Sequence, residues 1–441
     1  MSGAPAFVST RDPSRRAVTF EQALRHGLAP DGGLYVPTSV PALPAGWRAL
    51  DRWPQVVEAV LRPWFPAEAA DAAVEAAQQA LDFPVPLREL GARRALLELH
   101  HGPTLAFKDV AARTMARWLG TILRAGGETA TVLVATSGDT GSAVADGFAG
   151  VPELRVVVLY PAGRVSPVQE RQLTVPREGV YPLAIEGDFD DCQRLAKRAL
   201  VDPALAGLQL TSANSINLGR LLPQATYHVW GVLQLARSLA VAPEEVVSVV
   251  PSGNLGNLAA GLLAAGMGLP LAAFVAAHNA NDHFPRLLRG EVDADAAPAT
   301  IATLSNAMDV GAPSNLERLL ALFPEGRYPV PVLGASIDDR ATLASITRTW
   351  REDGVVVCPH TAVGLAALRR LRAAHRDVAR APALVLATAH PAKFPEVVER
   401  ALPGVAAARH PRLERLPPAR PLARLAADEP TLRRWLLAQL G

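Results

Sequence analysis

Cysteine is almost missing from this chain: Cys192 and Cys358 are the only two in 441 residues, far apart and outside any CxxC or Cys/His cluster. That scarcity excludes a disulfide framework and a structural zinc site, and a reducing cytoplasm is the expected setting. No metal centre is expected. A long apolar run is missing as well: no stretch of about 18 apolar residues occurs. The opening MSGAPAFVSTRDPSRR lacks the apolar core of a secretory signal, so neither membrane insertion nor export is expected. An excess of one charge is also lacking. Net charge is +2 with histidine neutral, aromatics make up 5%, and the basic residues are scattered, which excludes the basic, aromatic-lined stripe of a nucleic-acid binder. Lysine is the scarcest charged residue. Of 44 basic residues only Lys108, Lys197 and Lys393 are lysines, so each is a candidate for chemistry that arginine cannot perform.

What is present suits a large folded body. The length suggests two or three domains, and 49% hydrophobic residues provide ample apolar material for buried sheets. From Ala130 onward short β-branched runs, 131–135, 155–160, 246–250 and 383–387, alternate with amphipathic stretches such as SAVADGFAG, RATLASITRTWRED and LAALRRLRAAH. Strands alternating with helices imply βαβ crossovers and mostly parallel sheets covered on both faces, an α/β fold. The first 90 residues differ: glycine and proline punctuate them, with alanine-rich helical stretches around 54–81. They are expected to form a separate N-terminal domain. Residues 91–441 then form the catalytic region. Its smaller α/β part spans roughly 130–235, its larger part 91–129 and 236–402, and 403–441 is a peripheral, helical tail.

Five segments carry residues suited to chemistry. In HGPTLAFKDV, Lys108 stands just ahead of a helix with His101, Thr104 and Asp109 nearby. A partly desolvated lysine can lose its proton and form a Schiff base with an aldehyde, whereas the bland alternative is a solvated lysine at a helix start. In VLVATSGDTGSA a strand runs into Ser137, Gly138, Asp139, Thr140 and Gly141 and then a helix, a place for a carboxylate or phosphate, or simply a capped turn. VVPSGNLGN repeats that plan with Gly253, Asn254, Leu255, Gly256 and Asn257, whose glycines let backbone wrap a phosphate; it is neither a P-loop nor GxGxxG. SANSINLGR offers Asn214, Ser215, Asn217 and Arg220, able to converge on a second anion or, equally, to cap a helix beside a surface arginine. Thr388, in TAHPAKF, sits at the C-terminal end of a strand, where ligands bind in open α/β sheets.

In this order and spacing, HGPTLAFKD, ATSGDTG, SANSIN with Arg220, PSGNLGN, TLSNAMDVGAPSN and TAHPAKF resemble threonine synthases of the bacterial and fungal type. STRDP and GLAPDGGLYVP resemble that family's N-terminal domain, so the likeness covers nearly the whole chain. It implies a fold type II enzyme, similar to the tryptophan synthase β subunit, with pyridoxal 5'-phosphate as cofactor. By resemblance Lys108 carries the cofactor and moves protons, Gly253 to Asn257 cradle its phosphate, and Thr388 faces the pyridine nitrogen. Asp139 stands where the wider superfamily often has an Asn that meets the phenolic oxygen. Thr104, Ser137 and Thr140 are expected beside the substrate, and Asn214, Ser215 and Arg220 match the donors for its leaving phosphate. The implied reaction turns O-phosphohomoserine and water into threonine and phosphate. A related lyase that releases a 2-oxo acid, or a non-catalytic metabolite binder, are the alternatives. The sequence leaves the oligomeric state open.

Overall fold

The computed structural model describes residues 3–296, 298–405, 408–420, 422 and 424–441. The strands are β1 (Phe7–Ser9), β2 (Tyr35–Pro37), β3 (Leu87–Leu90), β4 (Arg94–Glu98), β5 (Ala130–Ala135), β6 (Leu154–Pro161), β7 (Val180–Glu186), β8 (Leu210–Ser212), β9 (Val247–Pro251), β10 (Ala273–His278), β11 (Val332–Ser336), β12 (Ala383–Ala387) and β13 (Arg424–Ala426). Two sheets dominate. The larger has the order β11-β10-β9-β12-β4-β3 and is parallel except for the β3–β4 hairpin; the smaller, β13-β7-β6-β5-β8, is parallel throughout. Every residue of β5, β9, β10 and β12 is buried, as helices on both faces of a parallel sheet require. The four apolar runs singled out in the sequence are β5, β6, β9 and β12.

The N-terminal residues pair β1 with β2 antiparallel and pack helices Trp53–Leu61 and Ala67–Ala80 against the rest. An aromatic seam joins them to the helix Lys108–Gly126. Phe20 lies 4.7 Å from Phe65 and 5.3 Å from Trp118, and Phe65 lies 5.3 Å from Trp118, ring centre to ring centre. Each buried ring contributes roughly 1.5–3 kcal/mol of apolar burial, so the seam holds the helix whose first residue is Lys108.

Three segments lie elsewhere than the sequence division put them. Strand β3, inside the first 90 residues, belongs to the larger sheet, because its hairpin partner β4 does. The helix Leu222–Ser238 follows β8 of the smaller sheet but packs on helices Gly256–Gly266 and Trp53–Leu61; Gly231 lets it close on Leu97 and Leu384. The tail is no loose appendage: β13 extends the smaller sheet, and Leu432, Leu436 and Leu440 of helix Glu429–Leu440 join its core. Its three-residue strand is too short to register as a period-two pattern. No described helix is long and apolar enough to cross a membrane.

Candidate active site

Loops leaving the C-terminal ends of β5, β8, β9 and β12, together with the segment after β4, line a single cavity of about 930 Å3 counting its mouth. Lys108, Ser137, Asp139, Thr140, Asn214, Ser215, Arg220, the run Gly253 to Asn257 and Thr388 all line it. The two sheets thus present their carboxyl edges to one space, the place where α/β folds bind ligands.

Lys108 opens its helix on a segment clipped to the end of β12: Phe107 N donates to Thr388 O (2.8 Å) and His390 N to Leu105 O (3.0 Å). Its Nζ donates to Thr140 Oγ1 at 2.6 Å. Desolvation lowers the ammonium, Asp139 pulls it back up, and Arg220 and Lys393 push it down again, to about 8. Near neutral pH a useful fraction is therefore free amine, the form that attacks an aldehyde.

After β5, Thr136 Oγ1 accepts from the amides of Gly138 (2.9 Å) and Gly141 (2.8 Å), which closes the loop. Gly138 has φ +134°, and a Cβ there would meet the Gln169 side chain at 2.4 Å. Asp139 follows at the helix start. It is buried, 2.8 Å from Lys393 Nζ, and accepts from Gln169 Nε2 at 3.0 Å. Burial would raise its carboxyl, but the charge on Lys393 and the hydrogen bonds from Lys393 and Gln169 hold it well below the usual carboxylate range.

After β9, Leu255 takes a left-handed conformation (φ +60°) and starts the helix Gly256–Gly266, whose first-turn amides have no helical acceptors. Asn254 donates to Ser215 Oγ (2.7 Å) and accepts from Ser314 N. Asn257 Oδ1 meets Tyr227 Oη and His228 Nε2, each at 2.9 Å, and its Nδ2 is buried without a partner among the described residues. An amide unpaired among the described residues, beside free helix-start N–H groups, has donors suited to a phosphate.

A second set of donors lines the same cavity, with Ser215 bonded to the loop after β9 through Asn254. Arg220 is buried and its Nε has no partner among the described residues; desolvation lowers its guanidinium to about 10, partly offset by Asp109. Ser215 Oγ accepts from Asn254 and Asn315 and so keeps its own proton to give. Arg318, fully buried, fixes this loop by donating to the carbonyls of Tyr35, Ser215 and Ile216 and to Asn315 Oδ1.

Some expected site residues do other work. Thr104 does not line the cavity: its hydroxyl and amide both go to the buried Asp109 (2.6 and 2.8 Å), whose carboxyl burial pushes up to about 6. Its carbonyl accepts from Lys393 and Gln172. Asn217 donates to Leu24 O and Ser212 O and accepts from Gly219 N, so it ties the loop to the N-terminal residues. Asn214 lines the cavity but spends its carbonyl and one amide hydrogen on the backbone of Ala135. His101 pairs with Glu98 at 2.8 Å, outside the cavity. Conversely His360, Gln224, Gln193, Phe189 and Met308 line it unforeseen. His360 Nε2 accepts from Ala307 N, its Nδ1 is unpaired among the described residues, and burial lowers it to about 4, so it is neutral.

An amine lowered to about 8, unpartnered donors at a helix start and a hydroxyl at the end of β12, on two sheets of this order, fit a pyridoxal-phosphate-dependent enzyme of fold type II. The family described as "Pyridoxal-phosphate dependent enzyme" matches residues 82–388, "Threonine synthase N terminus" matches 6–79, and "Threonine synthase, C-terminal" matches 361–425. A threonine synthase of Haemophilus influenzae is 41% identical over 393 residues, 87% of this chain and 88% of its own. The crystal structure of threonine synthase from Escherichia coli superposes with TM-score 0.89 at 38% identity, over 98% of this chain and 99% of that one. The pyridoxal-phosphate-bound enzyme from Brucella melitensis superposes at 0.86 and 34%, over 99% and 100%. The chain belongs to the threonine synthase family.

Proposed function

We propose that this chain converts O-phospho-L-homoserine and water into L-threonine and phosphate, by elimination at Cγ and addition of water at Cβ. The observation that carries the reading is a second anion site in the same cavity as the Lys108 amine and the Gly253–Asn257 cradle. Arg220, whose Nε is unpaired among the described residues, and Ser215, with a proton to give, supply it. Bound pyridoxal phosphate supplies the electron sink for carbanions formed on the substrate. The residues bind, orient and exchange protons. Asn257 and the first-turn amides of helix Gly256–Gly266 would hold the cofactor phosphate, and Thr388 would offer a neutral hydroxyl to its ring. Ser137 and Thr140 would take the substrate carboxylate. Lys108, once free as an amine, would accept the Cα proton and serve as the proton carrier to Cγ. Arg220, Ser215 and the remaining amide hydrogen of Asn214 would hold the leaving phosphate, which then closes the site against loss of the unsaturated species. The same reading assigns residues 1–80 to bracing the Lys108 helix and the two sheets to the two sides of the site. It also assumes a small-molecule substrate and a cytoplasmic setting, in keeping with two free, buried thiols.

Purified, cofactor-loaded protein should release phosphate and threonine from O-phospho-L-homoserine in equal amounts, with 2-oxobutyrate a minor product. Amino-acid chromatography alongside a 2-oxo-acid assay measures this. Excess 2-oxobutyrate at early times would make the protein a lyase of the same class.

A further inference from the structure

Lys393 is one of three lysines in an arginine-rich chain and is fully buried. Its Nζ lies 2.8 Å from Asp139 Oδ1 and 2.9 Å from Thr104 O, so it fills the floor behind the cavity wall without lining the cavity. Asp139 does line the cavity, next in sequence to Thr140, whose hydroxyl holds Lys108 Nζ. A buried carboxylate needs a cation. Lys393 meets it directly and Lys108 feels its charge, and a carboxylate paired to Lys108 would keep that amine protonated and inert.

Resting on the assignment of Lys108 as the cofactor lysine, we propose that Lys393 is a positioning residue: it claims Asp139 as a buried ion pair and so leaves Lys108 free to lose its proton. The Lys108 ammonium would lose its proton to solvent, and the free amine could then condense with the cofactor aldehyde, both of its N–H hydrogens leaving with the aldehyde oxygen as water. Arginine would bring a larger planar fork into a fully enclosed site whose acceptors, Thr104 O and Asp139, are met by one ammonium. The groups that face this pair are few. Asp139 meets Lys393, Gln169 and His360, with Cys358 beyond; Lys108 feels Asp139, Arg220 and Lys393; Lys393 also acts on His390 and on Asp109, which lies on the far side of Thr104. Over the range tested His360 is neutral, Asp109 is mostly ionised and Arg220 keeps most of its charge, so exchange of partners between the two lysines is what the titration would read.

The experiment follows the rate at which cofactor-free protein takes up pyridoxal phosphate, by visible absorbance, between pH 6.5 and 9.5. The wild-type rate should rise with a midpoint near the Lys108 value of about 8. Lys393→Met should move the midpoint up by about one pH unit, slowing uptake at pH 7 about tenfold, because Asp139 now pairs with Lys108. Asp139→Asn should move it down, because an unpaired Lys393 then repels a charged Lys108. The double variant, with both charges gone, should return close to wild type, and it serves if either single variant fails to fold. A double variant shifted as far as Lys393→Met, or single variants that both follow the wild-type curve, overturns the proposal. Lys108→Ala is the separate control: covalent uptake that persists in it would overturn the assignment of Lys108 itself.

Discussion

Arg220 is held by Ala213 O and shielded from water, yet its Nε is unpaired among the described residues. If that nitrogen serves the substrate's phosphate, Arg220→Gln should lower kcat/KM for O-phospho-L-homoserine roughly ten- to a hundredfold, from the loss of about 1.5–3 kcal/mol of charge-assisted contact. Visible absorbance of the bound cofactor should stay near wild type; loss of cofactor with normal substrate kinetics after reconstitution would mean the two anion sites are exchanged. Much at this scale was legible in the sequence. Lys108 stood out because lysine is so rare, and the loops around Ser137 and Gly253 because small polar residues between a strand and a helix leave donors free. Thr104 misled, since the type of a polar side chain does not say whether its partner is a ligand or a neighbouring carboxylate, while Asn217 takes the capping alternative and accepts from Gly219 N. His360 gave no signal: CPHTAVG reads as an ordinary helix start, and only the fold brings it to the cavity.

Among the elements, the loop from β5 into helix Asp139–Phe148 is the most constrained. Gly138 combines φ +134° with a forbidden Cβ position against Gln169, the residue that steadies Asp139. Gly138→Ala is expected to cost about 1–3 kcal/mol of stability and to weaken cofactor retention, since Gln169 must move and Asp139 with it. Thermal melting with and without added pyridoxal phosphate checks this: an unchanged melting temperature together with unchanged cofactor occupancy would show the loop to be adaptable. Strands β5, β6, β9 and β12 were legible as apolar runs, because a parallel strand covered on both faces has no polar alternation to hide it, whereas β10, equally buried but alanine-rich, was not singled out. The short strands were not. β1, β2, β8 and β13 have three residues each, and their pairing depends on partners distant in the chain.

For the molecule as a whole, buried histidines decide the response to acid. His228, His278, His360 and His390 are lowered by burial to about 4 and His100 to about 3, from an ordinary 6.5. A histidine whose folded value is depressed favours the folded state fully above 6.5, and that contribution is lost as pH falls toward 4, because only the unfolded chain takes up the proton. Each costs about 1.4 kcal/mol per pH unit below 6.5. Asp109 and Asp309, raised by burial to about 6, act in the opposite direction, but two carboxyls do not offset five imidazoles. The melting temperature should therefore fall steeply between pH 6.5 and 5; a flat profile over that range would show the imidazoles to be solvated. The smaller sheet also sets a schedule for biosynthesis. Its strands β5 to β8 have all emerged by residue 212, yet β13 and the helix that covers Leu195, Leu205 and Leu208 come from residues 424–440. At about 5–20 residues per second, the nascent chain waits tens of seconds at the ribosome with one sheet edge and one apolar face uncovered, a window in which chaperones must shield it from neighbouring chains.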